Sequence, residues 1–161
     1  NQVLGTYNAL DTEMLLVASV RGVNSDGKIG TPLRHSQDHK DAVTAMQVID
    51  FHADDLLRFL ELGWAGEAND GLIQPFPMVR DNVPEALSEF SIKLSQAEFD
   101  SVIADINTSR EVIMGRVVDM NENFSEEDIP EIRKIFGKLN GETAPPGTRI
   151  QIEDGSWITK K

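Results

Sequence analysis

Two stretches that share one grammar constrain this chain more than anything else in it. In the first, Leu94, Ser95, Glu98 and Phe99 stand where a capping box and a hydrophobic staple need them. Ser95 can accept from the Glu98 amide, Glu98 can reach back to the Ser95 amide, and Leu94 can pack on Phe99. In the second, Phe124 can staple onto Ile129 across Ser125, with Glu126, Glu127 and Asp128 filling the positive first turn. An apolar stripe follows each start. Phe99, Val102, Ile106, Ile113 and Val117 extend one helix over roughly 26 residues. Ile129, Ile132, Phe136 and Leu139 extend the other, which is expected to end at Asn140 and Gly141.

The same spacing predicts helices nearer the N-terminus. Leu4, Tyr7, Leu10, Met14 and Val17 describe one apolar face over residues 2–20. The stretch RGVNSDGKIGTP at 21–32 is loop chemistry, with an Asp-Gly pair, further glycines and a proline. From Ser36, Ala42, Val43, Met46 and Ile49 resume a helical stripe that is expected to finish near Phe51. A separate short helix over 54–62 then stops at Gly63. Pro75, Pro77 and Pro84 make the following segment extended or irregular. The tail RIQIEDGSWITKK reads as two short strands around Asp154 and Gly155, a pair suited to a two-residue hairpin turn. With that turn, Ile152 faces Trp157 and Ile150 shares the same apolar side. The expected architecture is mainly α, a single domain over 1–161 of four to five helices with a small C-terminal β-hairpin.

Charge and composition narrow the function classes. The net charge of −12 repels nucleic-acid phosphates and anionic lipid heads, so nucleic acid is not an expected partner. With no cysteine in the chain, disulfides, thiolate metal sites and a Cys nucleophile are excluded. The longest apolar run, from Met14 to Ala18, is far shorter than the roughly 20 residues of a spanning helix. The chain opens at Asn1, as a mature form would after loss of a leader with a lipid-anchoring cysteine. Any membrane link is therefore expected through a lipid anchor outside this chain.

GWAGEANDGLIQP, at 63–75, poses the sharpest local question, because a glycine-rich turn can cradle a phosphate, hold a metal or only turn a corner. A phosphate loop needs a strand before it and a helix N-terminus after it. Here a helix precedes and two prolines follow, so a corner is expected, with Gly63 ending a helix, Asn69, Asp70 and Gly71 turning, and Trp64 folding back onto the core.

Gly66-Glu67, Asn69-Asp70-Gly71-Leu72, Ile106-Asn107 with Arg110, Pro146-Gly147, and Asp154-Gly155-Ser156-Trp157 before Lys160-Lys161 occur in an order that resembles the YdbL-like family. That is a family of small bacterial envelope proteins catalogued as a domain of unknown function. The resemblance covers about residues 63–161, and residues 1–62 resemble the helical extension of longer members. It implies periplasmic residence, with or without lipoprotein anchorage to the outer membrane. It also implies a non-enzymatic role beside a small outer-membrane lipoprotein and a large AsmA-like protein that bridges the two membranes, assisting lipid traffic or assembly of the bridge.

Other constellations carry residue types capable of chemistry. His35 and His39, four residues apart beside Asp38 and Asp41, keep a metal-dependent hydrolase open as an alternative, although Ser36 stands where the glutamate of HExxH belongs. His52 is expected beside a helix junction. Asp119, Asn121 and Asn123 imitate the start of a calcium loop, but Phe124 and Pro130 occupy the positions that need Gly and a bidentate Glu. Ser95 and Ser125 have capping roles and no histidine pattern near them. Arg110 either covers apolar surface with its stem or anchors Glu67. The expected function is thus a chaperone-like binding accessory with no catalytic residue, metal or cofactor. Its candidate binding residues are Trp64, Glu67, Asn69, Asn107, Arg110 and Trp157. A purely structural lipoprotein domain is the other alternative.

Overall fold

The computed structural model describes residues 34–161, with side chains from His39 onward. The helix expected over 2–20, the loop over 21–32 and the His35 side chain lie outside the described residues. The fold is mainly α. Among the described residues, four α-helices, α1 (Arg34–Glu61), α2 (Glu85–Lys93), α3 (Gln96–Met120) and α4 (Ile129–Thr143), accompany a small sheet of β1 (Ala65–Glu67), β2 (Ile73–Pro75), β3 (Arg149–Gln151) and β4 (Trp157–Thr159).

α1 is one continuous helix, not the two segments expected on either side of Phe51. The reason is visible in its phase: Ala42, Met46, Ile49, Ala53, Leu56 and Leu60 keep a spacing of three or four, and neither Gly nor Pro interrupts them. Gly63, at φ +72°, ends the helical stretch as expected. α1 and α3 run side by side, and their shared face splits into two clusters. Ala42, Met46, Ile113, Met114 and Val117 meet Ile132 and Phe136 of α4. Leu56, Phe59 and Leu60 meet Phe99, Ile103 and Ile106 with Trp64 and Ile73.

The two capped starts form, each in its own way. Ser95 accepts from the Glu98 amide at 3.1 Å. At Ser125 the Asp128 carboxylate accepts from the Ser125 amide at 2.8 Å, a short 3₁₀ turn over Glu126–Asp128 intervenes, and α4 begins at Ile129. α4 runs past Asn140 and Gly141 to Thr143, because Gly141 is used for packing against Ile150 rather than for termination. α2 was not expected. It follows directly on Pro84, which fixes the backbone entering its first turn.

The sheet is larger than the expected hairpin. Its strand order is β2-β1-β3-β4, with β1 antiparallel to β2 and parallel to β3. The glycine-rich stretch is therefore itself a β-hairpin. The C-terminal hairpin forms one residue out of the expected register: Ile150 pairs with Ile158 and Gln151 with Trp157. Three residues close the turn instead of two, with the Gly155 amide donating to the Ile152 carbonyl at 2.9 Å and Gly155 at φ +90°. A slip of one residue exchanges the faces of a strand. Ile150 consequently lies on the side of α4, next to Gly141, while Trp157 lies on the other side against Phe76, with ring centroids 5.0 Å apart.

Candidate functional site

Two of the motif groups, residues 66–72 and 106–110, meet at the hairpin of β1 and β2. Its tip is closed by the Ala68 amide donating to the Leu72 carbonyl at 2.9 Å and by the Asp70 carboxylate accepting from the Leu72 amide at 3.1 Å. Arg110, projecting from the middle of α3, grips this tip. Its Nη1 and Nη2 donate to the two Glu67 carboxylate oxygens at 2.7 and 3.0 Å, and Nη1 also donates to the Gly71 carbonyl at 3.2 Å. The side chains are only 12% and 5% exposed, so the pair is shielded from water. Paired, planar and buried, such a contact is stronger than an ordinary surface ion pair.

Asn107, one turn earlier on α3, treats β2 as a neighbouring strand would. Its Oδ1 accepts from the Ile73 amide at 2.7 Å and its Nδ2 donates to the Ile73 carbonyl at 3.0 Å. Asn69 ties the hairpin tip to the C-terminal strands: its amide donates to Gln151 Oε1 at 3.1 Å and its Nδ2 to the Ile152 carbonyl at 3.1 Å. Asn140 of α4 adds a bond to the Gly71 carbonyl at 3.3 Å. Four of the six expected binding residues, Glu67, Asn69, Asn107 and Arg110, thus belong to one joint between α3, α4 and the sheet, while Trp157 packs on Phe76 at the other side of the sheet.

Trp64 is the exception, and its expected role as a surface contact is corrected. It has no exposed surface, lies among Phe59, Phe90 and Phe99, and donates from Nε1 to the Val79 carbonyl at 2.9 Å. A large ring with its one polar atom satisfied is a core residue. Glu67, at 4% exposure, and Asn107 are likewise turned inward, while Trp157 keeps one partly exposed side. Asn140 and Gln151 take part in the joint without belonging to the expected binding set. Asn140 lies in the helix-ending pattern and Gln151 in a strand too short to show a period, so neither carried a local signal.

Two depressions flank the joint. One, of about 610 Å³, lies between α1 and α3 beside Phe51, His52, Asp105 and Ser109. There, His52 sits mid-helix instead of at a junction, and its Nε2 stands 3.2 Å from the Asp105 carboxylate. The other, of about 920 Å³, lies between α4 and the C-terminal hairpin, over Ile135, Ile150 and Ile152. Among the described residues, no three His, Asp or Glu side chains gather as a metal site. His39 is half-buried on α1, and the His35 side chain lies outside the described residues. No described helix is long and apolar enough to cross a membrane. Comparison with family models, curated proteins and solved structures finds no match to this chain.

Proposed function

We propose that the chain is a non-enzymatic accessory of the bacterial cell envelope, a chaperone-like binding protein. In this reading it serves an AsmA-like protein that bridges the two membranes, together with that protein's small outer-membrane lipoprotein, in lipid transport. The resemblance of residues 63–161 to the YdbL-like family supports the setting. The observation that carries the reading is the engagement of the motif's chemically capable groups. Glu67 and Arg110 hold each other, and Asn107 and Asn69 hold backbone and Gln151, so the motif builds a scaffold. Large apolar side chains stand free of it, with Phe51 82% and Ile92 75% exposed. This reading places the partner at those exposed apolar side chains.

Photocrosslinking in the envelope tests this. A crosslinking residue placed at Phe51, and separately at Ile92, is expected to trap the bridge protein or the lipoprotein from at least one position, in the periplasmic fraction. A folded protein that gives no specific adduct from either position, or that fractionates with the cytosol, contradicts the reading.

A further inference from the structure

The four-stranded sheet has two edges, and they differ. β2 reaches its edge with Pro75, which has no amide to offer. β4 is open. Within the hairpin, the Ile152 amide donates to the Ser156 carbonyl at 2.9 Å and the Lys160 amide to the Thr148 carbonyl at 2.8 Å. Residues 156, 158 and 160 therefore face β3, and by alternation the amides and carbonyls of Trp157 and Thr159 point away from the sheet. No described strand pairs with them. Ile158, a β-branched residue between them, is 46% exposed. An open edge of this kind is a template for another strand.

We propose that the free edge of β4 pairs antiparallel with the same edge of a second copy, centred on Ile158, joining two four-stranded sheets into one continuous sheet. Trp157 and Thr159 of each chain then exchange backbone bonds with Thr159 and Trp157 of the other. Ile158 meets Ile158 of the second copy, extending the row that Ile150 begins on the side of α4. The charges of the strand select this partner. EDGSWITKK, at 153–161, carries its acids at one end and its lysines at the other. Antiparallel pairing of two copies lays Lys161 beside the turn that contains Asp154, twice, whereas parallel pairing would set like charges together. The Ser156 hydroxyl and amide donate to the Asp154 carboxylate at 2.6 and 2.8 Å and hold its pKa below the usual range. Lys160 takes no part, because its ammonium group is bound to the Glu142 and Ala144 carbonyls at the end of α4. The net charge of −12 works against self-association, so the pairs at this edge act locally against it.

The edge is short, well under the area of an ordinary stable interface, so the dimer should have a dissociation constant on the order of 0.1–1 mM. Sedimentation equilibrium of the full chain over a concentration series up to about 1 mM tests the proposal. The expected result is a reversible monomer–dimer equilibrium. Thr159→Pro removes an outward amide and leaves the β3–β4 ladder intact, and should weaken association at least tenfold. Lys161→Glu, at an exposed position, should weaken it too and guards against a folding defect in the proline variant. A chain that stays monomeric throughout, including one whose edge instead takes up an unrelated extended peptide, overturns the proposal. So does a dimer that both variants leave unchanged.

Discussion

A glycine inside a helix costs about 0.8–1.0 kcal/mol relative to alanine, so propensity alone would make Gly137→Ala in α4 a stabilising change. The tertiary structure reverses the sign. A Cβ at Gly137 would lie 2.4 Å from the Asn69 carbonyl oxygen and 2.6 Å from its carbon, which are backbone atoms of the hairpin tip that Arg110 holds in place. Gly137→Ala should therefore lower stability by about 1–3 kcal/mol, the range for overpacking, as read from denaturant unfolding. A gain would show that the tip yields easily. Trp64 presents a similar contest between a binding and a packing role. With no exposed surface and three aromatic neighbours, Trp64→Ala should cost about 3–5 kcal/mol. Partner capture at temperatures where the variant remains folded should be unchanged. Loss of capture by a folded variant would restore Trp64 as a contact.

At the scale of elements, the two capped helix starts separate once their bonds are compared. Ser95 accepts directly from the Glu98 amide, so Ser95→Ala should cost about 1 kcal/mol. At the second start the strong bond is made by the Asp128 carboxylate, and the Ser125 hydroxyl lies 3.5 Å from it. Ser125→Ala should cost less than Ser95→Ala, and paired melting curves check the order. Removing residues 148–161 tests a whole element. It takes away β3, the parallel neighbour of β1, along with the bonds from Asn69 to Gln151 and Ile152, so the melting temperature should fall by several degrees. An unchanged melt would mean the strands add nothing to the fold. The legibility of these elements follows from the range of their causes. α3 could be read because its cap, staple and stripe all lie within its own residues. The pairing of Gly66 with Arg149 joins distant parts of the chain through strands of three residues, too short for a period to appear. The hairpin register hinged on two turn residues against three: Gly155 stands at φ +90°, which suits either turn, but the two-residue turn also needs a positive φ at Asp154, and among the described residues Asn82 is the one non-glycine that adopts it.

For the whole molecule, the ordered set of motifs marks one mechanical joint. α3 supplies Asn107 and Arg110, α4 supplies Asn140 and the space at Gly137, and the sheet supplies Glu67, Asn69 and Gly71. The pairing of Arg110 with Glu67 was legible because a carboxylate in a glycine-rich turn needs something to fix it. The contributions of Asn140 and Gln151 were not, since an amide side chain can serve almost any backbone it meets. If the joint is architectural, breaking its central ion pair must be felt in global unfolding, and the two partners must act as a unit. The most direct measurement is a double-mutant cycle on Glu67→Gln and Arg110→Gln by denaturant unfolding. Each single change should cost about 3 kcal/mol by leaving a buried charge uncompensated. The double mutant should cost less than the sum, with a coupling of about 1–3 kcal/mol. A coupling near zero would contradict the joint and free Glu67 and Arg110 for a partner.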